Sequence, residues 1–205
     1  MHSTQVEAPD MTQADCHLAL RSLEGPADAC GDTGMYHIGE TECFIALVDV
    51  LGHGPEAHEV ALMADAFLAE NYDLPLLDTM QGLHKHLRGT RGAVASMCRL
   101  NYATGELSFT GVGNITCRIF GSEHIRTVPR DGIIGYIMSQ PREQVFNLHP
   151  GDIVMLYSDG VREHFEAHDQ PGLLIGSAEE IVGRVMQFFA KGDDDTSCLV
   201  MRYVP

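Results

Sequence analysis

The 205-residue sequence has no tryptophan, and only two of its thirteen basic residues are lysines, Lys85 and Lys191. Against twenty-nine acids this leaves a formal net charge of −16. A surface so short of cations repels a phosphate backbone and an anionic membrane face, which argues against nucleic-acid and membrane partners. No run of eighteen apolar residues is present, so no segment has the length of a transmembrane helix. The opening residues, Met1 to Glu7, hold neither a basic nor an apolar region and do not resemble a signal peptide. The cysteines (Cys16, Cys30, Cys43, Cys98, Cys117 and Cys198) form no C-x-x-C pair. Scattered among apolar residues, they are expected to be reduced, buried thiols of a cytoplasmic protein rather than a zinc site. A G-x-x-x-x-G-K-[ST] loop is also missing, which leaves nucleotide binding of that type without support.

What is present is a globular composition, 44% hydrophobic, in a chain long enough for one domain with a substantial core. Residues 1–14 are polar and expected to be flexible; 15–205 are expected to form a single domain. Apolar patterning predicts strands over His17–Leu23, Cys43–Val48, Ala93–Asn101, Leu107–Gly111, Ile115–Phe120, His124–Val128, Val145–Leu148, Ile153–Tyr157 and Cys198–Tyr203. Helical spacing starts at Pro55, a good first helical residue, and recurs over Leu76–Leu87 and Ala178–Phe189, the last with Ser177 as N-cap. Gly25–Gly34, rich in Gly, Asp and Ala, predicts a loop. The turns Thr104-Gly105, Gly113-Asn114 and Gly121-Ser122 predict an antiparallel meander. Helices and strands are segregated rather than alternating, which makes the fold class α+β with mainly antiparallel sheets.

The carboxylates carry the chemistry. Asp49 ends an apolar strand and opens the glycine turn Val50-Leu51-Gly52-His53-Gly54. Asp159 ends another, Ile153 to Ser158, just before Gly160. Asp193, Asp194 and Asp195 stand immediately before the last strand, and Asp32 sits within Gly31-Asp32-Thr33-Gly34. Four acidic points beside glycines or strand ends are placed to meet at one rim of a sheet. Crowded carboxylates stay ionised at neutral pH only when cations neutralise them. Oxygen-only ligands select hard ions such as Mg²⁺ or Mn²⁺, and two such ions about 4 Å apart can clamp a phosphoryl group.

Four motifs in order carry a family resemblance: Asp49-Val-Leu-Gly-His-Gly; Gly113-Asn114 after a strand; Pro150-Gly-Asp-Ile-Val-Met-Leu-Tyr-Ser-Asp-Gly-Val; and Asp193-Asp-Asp-Thr196. Together they resemble the metal-dependent protein phosphatases of the PPM (PP2C) family, in its bacterial SpoIIE-like branch. Cys30-Gly31-Asp32 and Arg91-Gly-Ala-Val-Ala-Ser96 look most like its short stressosome feedback phosphatases. The resemblance implies an α–β–β–α sandwich of two mainly antiparallel sheets flanked by helices. It implies two Mn²⁺ or Mg²⁺ ions, with Asp49 as the bridging ligand, the Val50 carbonyl completing one shell, and Asp159 and Asp193 on the other ion. Asp32 would act through the metal or its waters, while Asp194 and Thr196 would shape the loop. The implied catalytic residues are Asp49, Asp159 and Asp193. The implied activity is hydrolysis of phosphoserine or phosphothreonine on a stressosome or anti-sigma antagonist protein; the alternative is a phosphatase-like binding module with little or no turnover.

Two features depart from the family pattern. Asn114 stands where relatives often carry an Asp that supports a third ion, and no arginine near the N-terminus matches a phosphate clamp. His53 suits a turn residue at a helix start better than a general acid. His84-x-His86 lacks the Asp-His of a metallo-β-lactamase motif, and the dipeptide His168-Asp169 is expected by chance in so His- and Asp-rich a chain.

Overall fold

The computed structural model describes residues 13–23, 29–162, 165 and 169–204. The chain forms β1 (Ala14–Arg21), β2 (Asp32–Ile38), β3 (Glu42–Val50), α1 (Pro55–Asn71), α2 (Leu76–His86), β4 (Ala93–Asn101), β5 (Glu106–Val112), β6 (Thr116–Phe120), β7 (His124–Arg126), β8 (Gln144–Asn147), β9 (Ile153–Tyr157), α3 (Ala178–Phe188) and β10 (Thr196–Tyr203). Ten strands make two five-stranded sheets, ordered β1-β10-β9-β6-β7 and β2-β3-β4-β5-β8, with every named pairing antiparallel.

Why the strands stack this way can be seen in β3. Cys43, Ile45 and Leu47 point into the core between the sheets, where Cys117, Leu156, Leu199 and Met201 meet them. The alternate residues Phe44, Ala46, Val48 and Val50 pack under α1 and α2. On the other sheet, Met155, Tyr157, Cys198 and Val200 pack under α3. A strand buried on both faces needs a continuous apolar run rather than alternation, which is what the β3 and β9 sequences supply. The result is four layers, helix–sheet–sheet–helix. Pro55 opens α1 with Gly54 as its N-cap, and Ser177 caps α3 through a capping box with Glu180.

Several sequence expectations need correction. The expected meander is two hairpins, β4–β5 and β6–β7, lying in different sheets. The Gly113-Asn114 turn does not reverse the chain within one sheet; it carries it from one sheet to the other. Gly113 has φ +97°, and a Cβ there would lie 2.1 Å from Val94 Cγ1, so the crossing needs glycine. Part of the expected loop at Gly25–Gly34 is strand β2, paired along its length with β3; residues 24–28 lie outside the described ones. Of the expected flexible segment 1–14, residues 1–12 lie outside the described ones, while Gln13 accepts a hydrogen bond from Val204 N–H (2.8 Å) and Ala14 begins β1. No helix among the described residues is long and apolar enough to cross a membrane.

Candidate metal centre

Antiparallel pairing brings the ends of distant segments to one rim. Where β3 ends, β2 and β4 begin: Asp49 lies opposite Asp32 on one side and Val94 on the other. Where β9 ends, β10 and β6 begin, with Tyr157 opposite both Cys198 and Thr116. Asp49 continues the inward row Cys43, Ile45, Leu47, so its side chain terminates the apolar core between the sheets. Ser158 and Ser197 extend the inward rows of β9 and β10 in the same way. Polar groups thus cap the open end of the core, below a cleft of about 450 Å³.

That cleft is lined by Asp49, Val50, Asn114, Asp131, Asp159 and Asp194, with Leu51, Gly52, Val94, Gly113 and Gly132. Asp49, Val50 and Asp159 are therefore brought together as expected. Asp32 lies immediately behind Asp49 and is only 3% exposed. Asp193 is exposed and absent from this lining; Asp194 takes its place in it. The displacement has a local cause. Asp195 is 4% exposed and clamps two backbone segments, Oδ1 accepting from Leu23 N–H (2.7 Å) and Oδ2 from Gly31 N–H (2.6 Å). Thr196 Oγ1 donates to the Asp194 carbonyl (3.2 Å), and Gly160 packs so tightly that a Cβ would lie 2.1 Å from the Asp195 carbonyl oxygen. With Asp195 turned inward, its predecessor lies at the cleft. The motif assigned by resemblance begins at Asp193, whereas the acid that lines the cleft is one residue later, Asp194. A run of three aspartates hides that choice in the sequence. Asp131, in Asp131-Gly132, was also missed, although it repeats the Asp-Gly signal.

Electrostatics at the rim are those of crowded, partly buried carboxylates. Burial, with the charges of Asp32, Asp159 and Asp194, pushes the Asp49 carboxyl up to about 9. Burial likewise pushes Asp32 up to about 6, against the Ser197 and Ser158 hydroxyls that pull it down. Asp194 is raised by burial and by Asp159. Asp32 Oδ2 is buried and makes no well-formed hydrogen bond of its own. Asn114 Nδ2 donates to Asp159 Oδ2 (3.0 Å) and orients that carboxylate. Among the described residues, no three acidic, His or Cys side chains are gathered tightly enough to share one ion as they stand. A hard ion such as Mg²⁺ needs only one or two carboxylates and fills its shell with water. The all-oxygen donor set, the mutual repulsion and the orphaned Asp32 oxygen fit a pair of such ions.

The other motifs have structural roles or positions away from the cleft. His84 Nδ1 accepts from Gly135 N–H (3.1 Å) and the His86 ring packs against Phe67. His53 is exposed in the turn before α1 and outside the cleft lining. His168 lies outside the described residues.

A raised carboxyl pKa means that the folded chain binds protons more tightly than the unfolded one. Without metal, stability is then greatest at low pH and falls as pH climbs from the ordinary carboxylate range toward about 6 for Asp32 and about 9 for Asp49. The metal-free protein is expected to melt lower at pH 9 than at pH 6. Mn²⁺ is expected to abolish the difference, because ions bind the deprotonated groups. Thermal melts in EDTA and in Mn²⁺ at both pH values check this; a melting temperature that rises with pH in EDTA would contradict the crowding described here.

Two antiparallel sheets between helical layers, with carboxylates from four segments at one rim, define a metal-dependent phosphatase domain of the PP2C type. The chain belongs to the SpoIIE family: the model of Stage II sporulation protein E (SpoIIE) matches residues 39–204. It is 23% identical over 176 residues to phosphoserine phosphatase RsbX of Bacillus subtilis (strain 168), spanning 83% of this chain and 86% of that protein. The crystal structure of RsbX in complex with magnesium superposes with a TM-score of 0.79 at 18% identity, over 97% of this chain and 98% of RsbX. A protein solved in work on the bacterial stressosome, as a modular system adapted to control secondary messenger signalling, is 32% identical, with a TM-score of 0.84 over 92% of this chain and 99% of that one. The catalytic domain of serine/threonine protein phosphatase PstP, in complex with two manganese ions, shares the fold at 16% identity, with a TM-score of 0.69 over 94% of this chain and 100% of that one.

Proposed function

We propose that this chain hydrolyses phosphoserine or phosphothreonine on a phosphorylated protein of bacterial stress signalling, of the stressosome or anti-sigma antagonist type. The observation that carries the reading is the convergence of Asp49, Asp159 and Asp194 at one open cleft, with Asp32 buried behind Asp49. Two Mn²⁺ or Mg²⁺ ions bound there would neutralise the carboxylates, hold phosphoryl oxygens and make water acidic enough to attack at neutral pH. In this assignment Asp49 and the Val50 carbonyl would help to hold the ions. Asp159 and Asp194 would complete the ligand set, with Asp194 in place of the Asp193 of the assignment by resemblance. Asp32, buried behind Asp49, would add negative charge that favours bound cations. Asn114 holds Asp159 in orientation, and Asp195 holds the loop that presents Asp194. No protein nucleophile is required, because the acids bind and orient while water attacks in line.

The net charge of −16 suits partners with neutral or basic faces and argues against nucleic acid and anionic membranes. Six free, buried cysteines suit a reducing, cytoplasmic setting. Hydrolysis of p-nitrophenyl phosphate with added Mn²⁺, measured against an EDTA control, tests the activity. The expected result is turnover in Mn²⁺ that EDTA abolishes. Absence of turnover in both, with a folded protein, would leave the phosphatase-like binding module as the reading.

A further inference from the structure

A phosphorylated substrate is an anion, yet the rim it must approach is lined by acids. Metal ions bound there would offset the acids, and a cationic side chain beside the cleft would add to the attraction. Arg91 is close by, but its guanidinium is committed to the Leu51 carbonyl (3.1 Å) and to Glu56 (2.6 Å), so it braces the turn after Asp49. A second cavity, of about 290 Å³, adjoins the cleft and shares Asn114 and Asp159 with it. Its remaining lining is Thr116, Tyr157, Ser158, Val161 and Lys191. Among the described residues lining the two cavities, Lys191 is the one cationic side chain.

Three further observations make this cavity a place for an anion. Lys191 is held by backbone: its N–H donates to the Gly160 carbonyl (2.8 Å), next to the Val161–Ala190 bridge and the bond from Arg162 N–H to the Phe189 carbonyl (2.9 Å). The segment that carries the ammonium is thus tied to the turn that carries Asp159. Positive charge also stands behind the wall, where Arg126 Nη2 lies 3.4 Å from Thr116 Oγ1. The Arg118 guanidinium stands in the same region, over the Phe165 ring (5.1 Å), which packs against Tyr157 with ring centroids 5.6 Å apart. In a chain with a net charge of −16, these cations offset the Asp159 carboxylate that shares the cavity wall.

We propose that the Lys191 cavity is the subsite that receives an oxyanion of the substrate, with the Lys191 ammonium as the contacting group and Thr116 in its lining. The proposal rests on the phosphatase reading above. The oxyanion has two sources on a phosphoprotein: the phosphoryl group itself, or an acidic side chain beside the phosphorylated residue. A lysine used as an exposed point charge contributes about one charged hydrogen bond, equivalent to roughly tenfold in affinity.

The test compares wild type, Lys191→Met and Lys191→Arg in Mn²⁺, using p-nitrophenyl phosphate and phosphoserine peptides flanked by Glu or by Ala. Lys191 is exposed, so Lys191→Met is expected to fold normally. The expected result is a KM raised about tenfold in Lys191→Met with kcat nearly kept, and substantial recovery in Lys191→Arg. A rise with every substrate assigns the oxyanion to the phosphoryl group. A rise confined to Glu-flanked peptides assigns it to the neighbouring carboxylate. Unchanged KM for all substrates overturns the proposal. Calorimetry with the same peptides carrying a non-hydrolysable phosphonate reads the subsite without turnover. If the wild type neither hydrolyses phosphate esters nor responds to Mn²⁺, the phosphatase reading fails. Peptide affinity that Lys191→Met weakens would still uphold the subsite, and equal affinity in both proteins would overturn it.

Discussion

Asp49→Asn is expected to lower Mn²⁺-dependent turnover by about 10³-fold or more while the fold is kept. Asp49 alone faces the charges of Asp32, Asp159 and Asp194 together. Removing its charge weakens the hold on both ions, and losing ~4 kcal/mol of transition-state stabilisation is about a thousandfold in rate. The fold should survive because, without metal, burial already favours the neutral acid at this position. Its neighbour Asp32 lies opposite on β2, and an Asn amide there can donate to it as a protonated carboxyl would. The metal-free variant should therefore melt no lower than wild type near pH 7 and lose much of the decline toward pH 9. Initial rates at saturating Mn²⁺ together with thermal melts decide the matter. Full turnover by the folded variant would refute the ligand role.

Asp194→Asn and Asp193→Asn should differ by about 10²-fold in their effect on turnover. Both side chains are exposed, but Asp194 lines the cleft and is raised by burial and by Asp159, whereas Asp193 lies outside that lining. If Asp194 binds an ion, its loss removes one of the few carboxylate ligands and costs at least as much as the outer-shell losses of 10- to 100-fold seen at metal sites. Asp193→Asn should stay within a few-fold of wild type, as expected for a solvated surface charge. Manganese titrations of the two variants should separate in the same direction, with affinity weakened by Asp194→Asn alone. Equal activity of the two variants, or the reverse order, would restore the assignment made by motif. The comparison is informative because the substitutions are chemically identical and adjacent in the chain.

Much of the fold was legible in the sequence. Ala93–Asn101 and Ile153–Tyr157 were read to the residue as β4 and β9, and the Ser177 cap and Pro55 start were as expected. These features are local: apolar period, a capping side chain, a residue with fixed φ. Strand β2 was missed because Gly31 and Gly34 flank Asp32 and look like loop. Those glycines serve close packing instead, since a Cβ at Gly34 would lie 2.7 Å from the Ala46 carbonyl oxygen on the neighbouring strand. The meander was misread because a Gly-Asn turn looks alike whether it closes a hairpin or crosses between sheets.

Asp32, Asp49 and Asp159 could be picked out because a charged residue ending a buried apolar run is conspicuous wherever the chain later goes. What the sequence could not decide was which of Asp193, Asp194 and Asp195 turns to the cleft. Nor could it show that Lys191 stands beside Asp159. Both depend on long-range contacts: the Asp195 clamp on Leu23 and Gly31, and the bond from Lys191 N–H to Gly160. Local propensity and patterning are written into neighbouring residues. The direction of a side chain at a sheet rim is set by segments far away in the chain, whose positions exist only once both sheets have closed around their shared core.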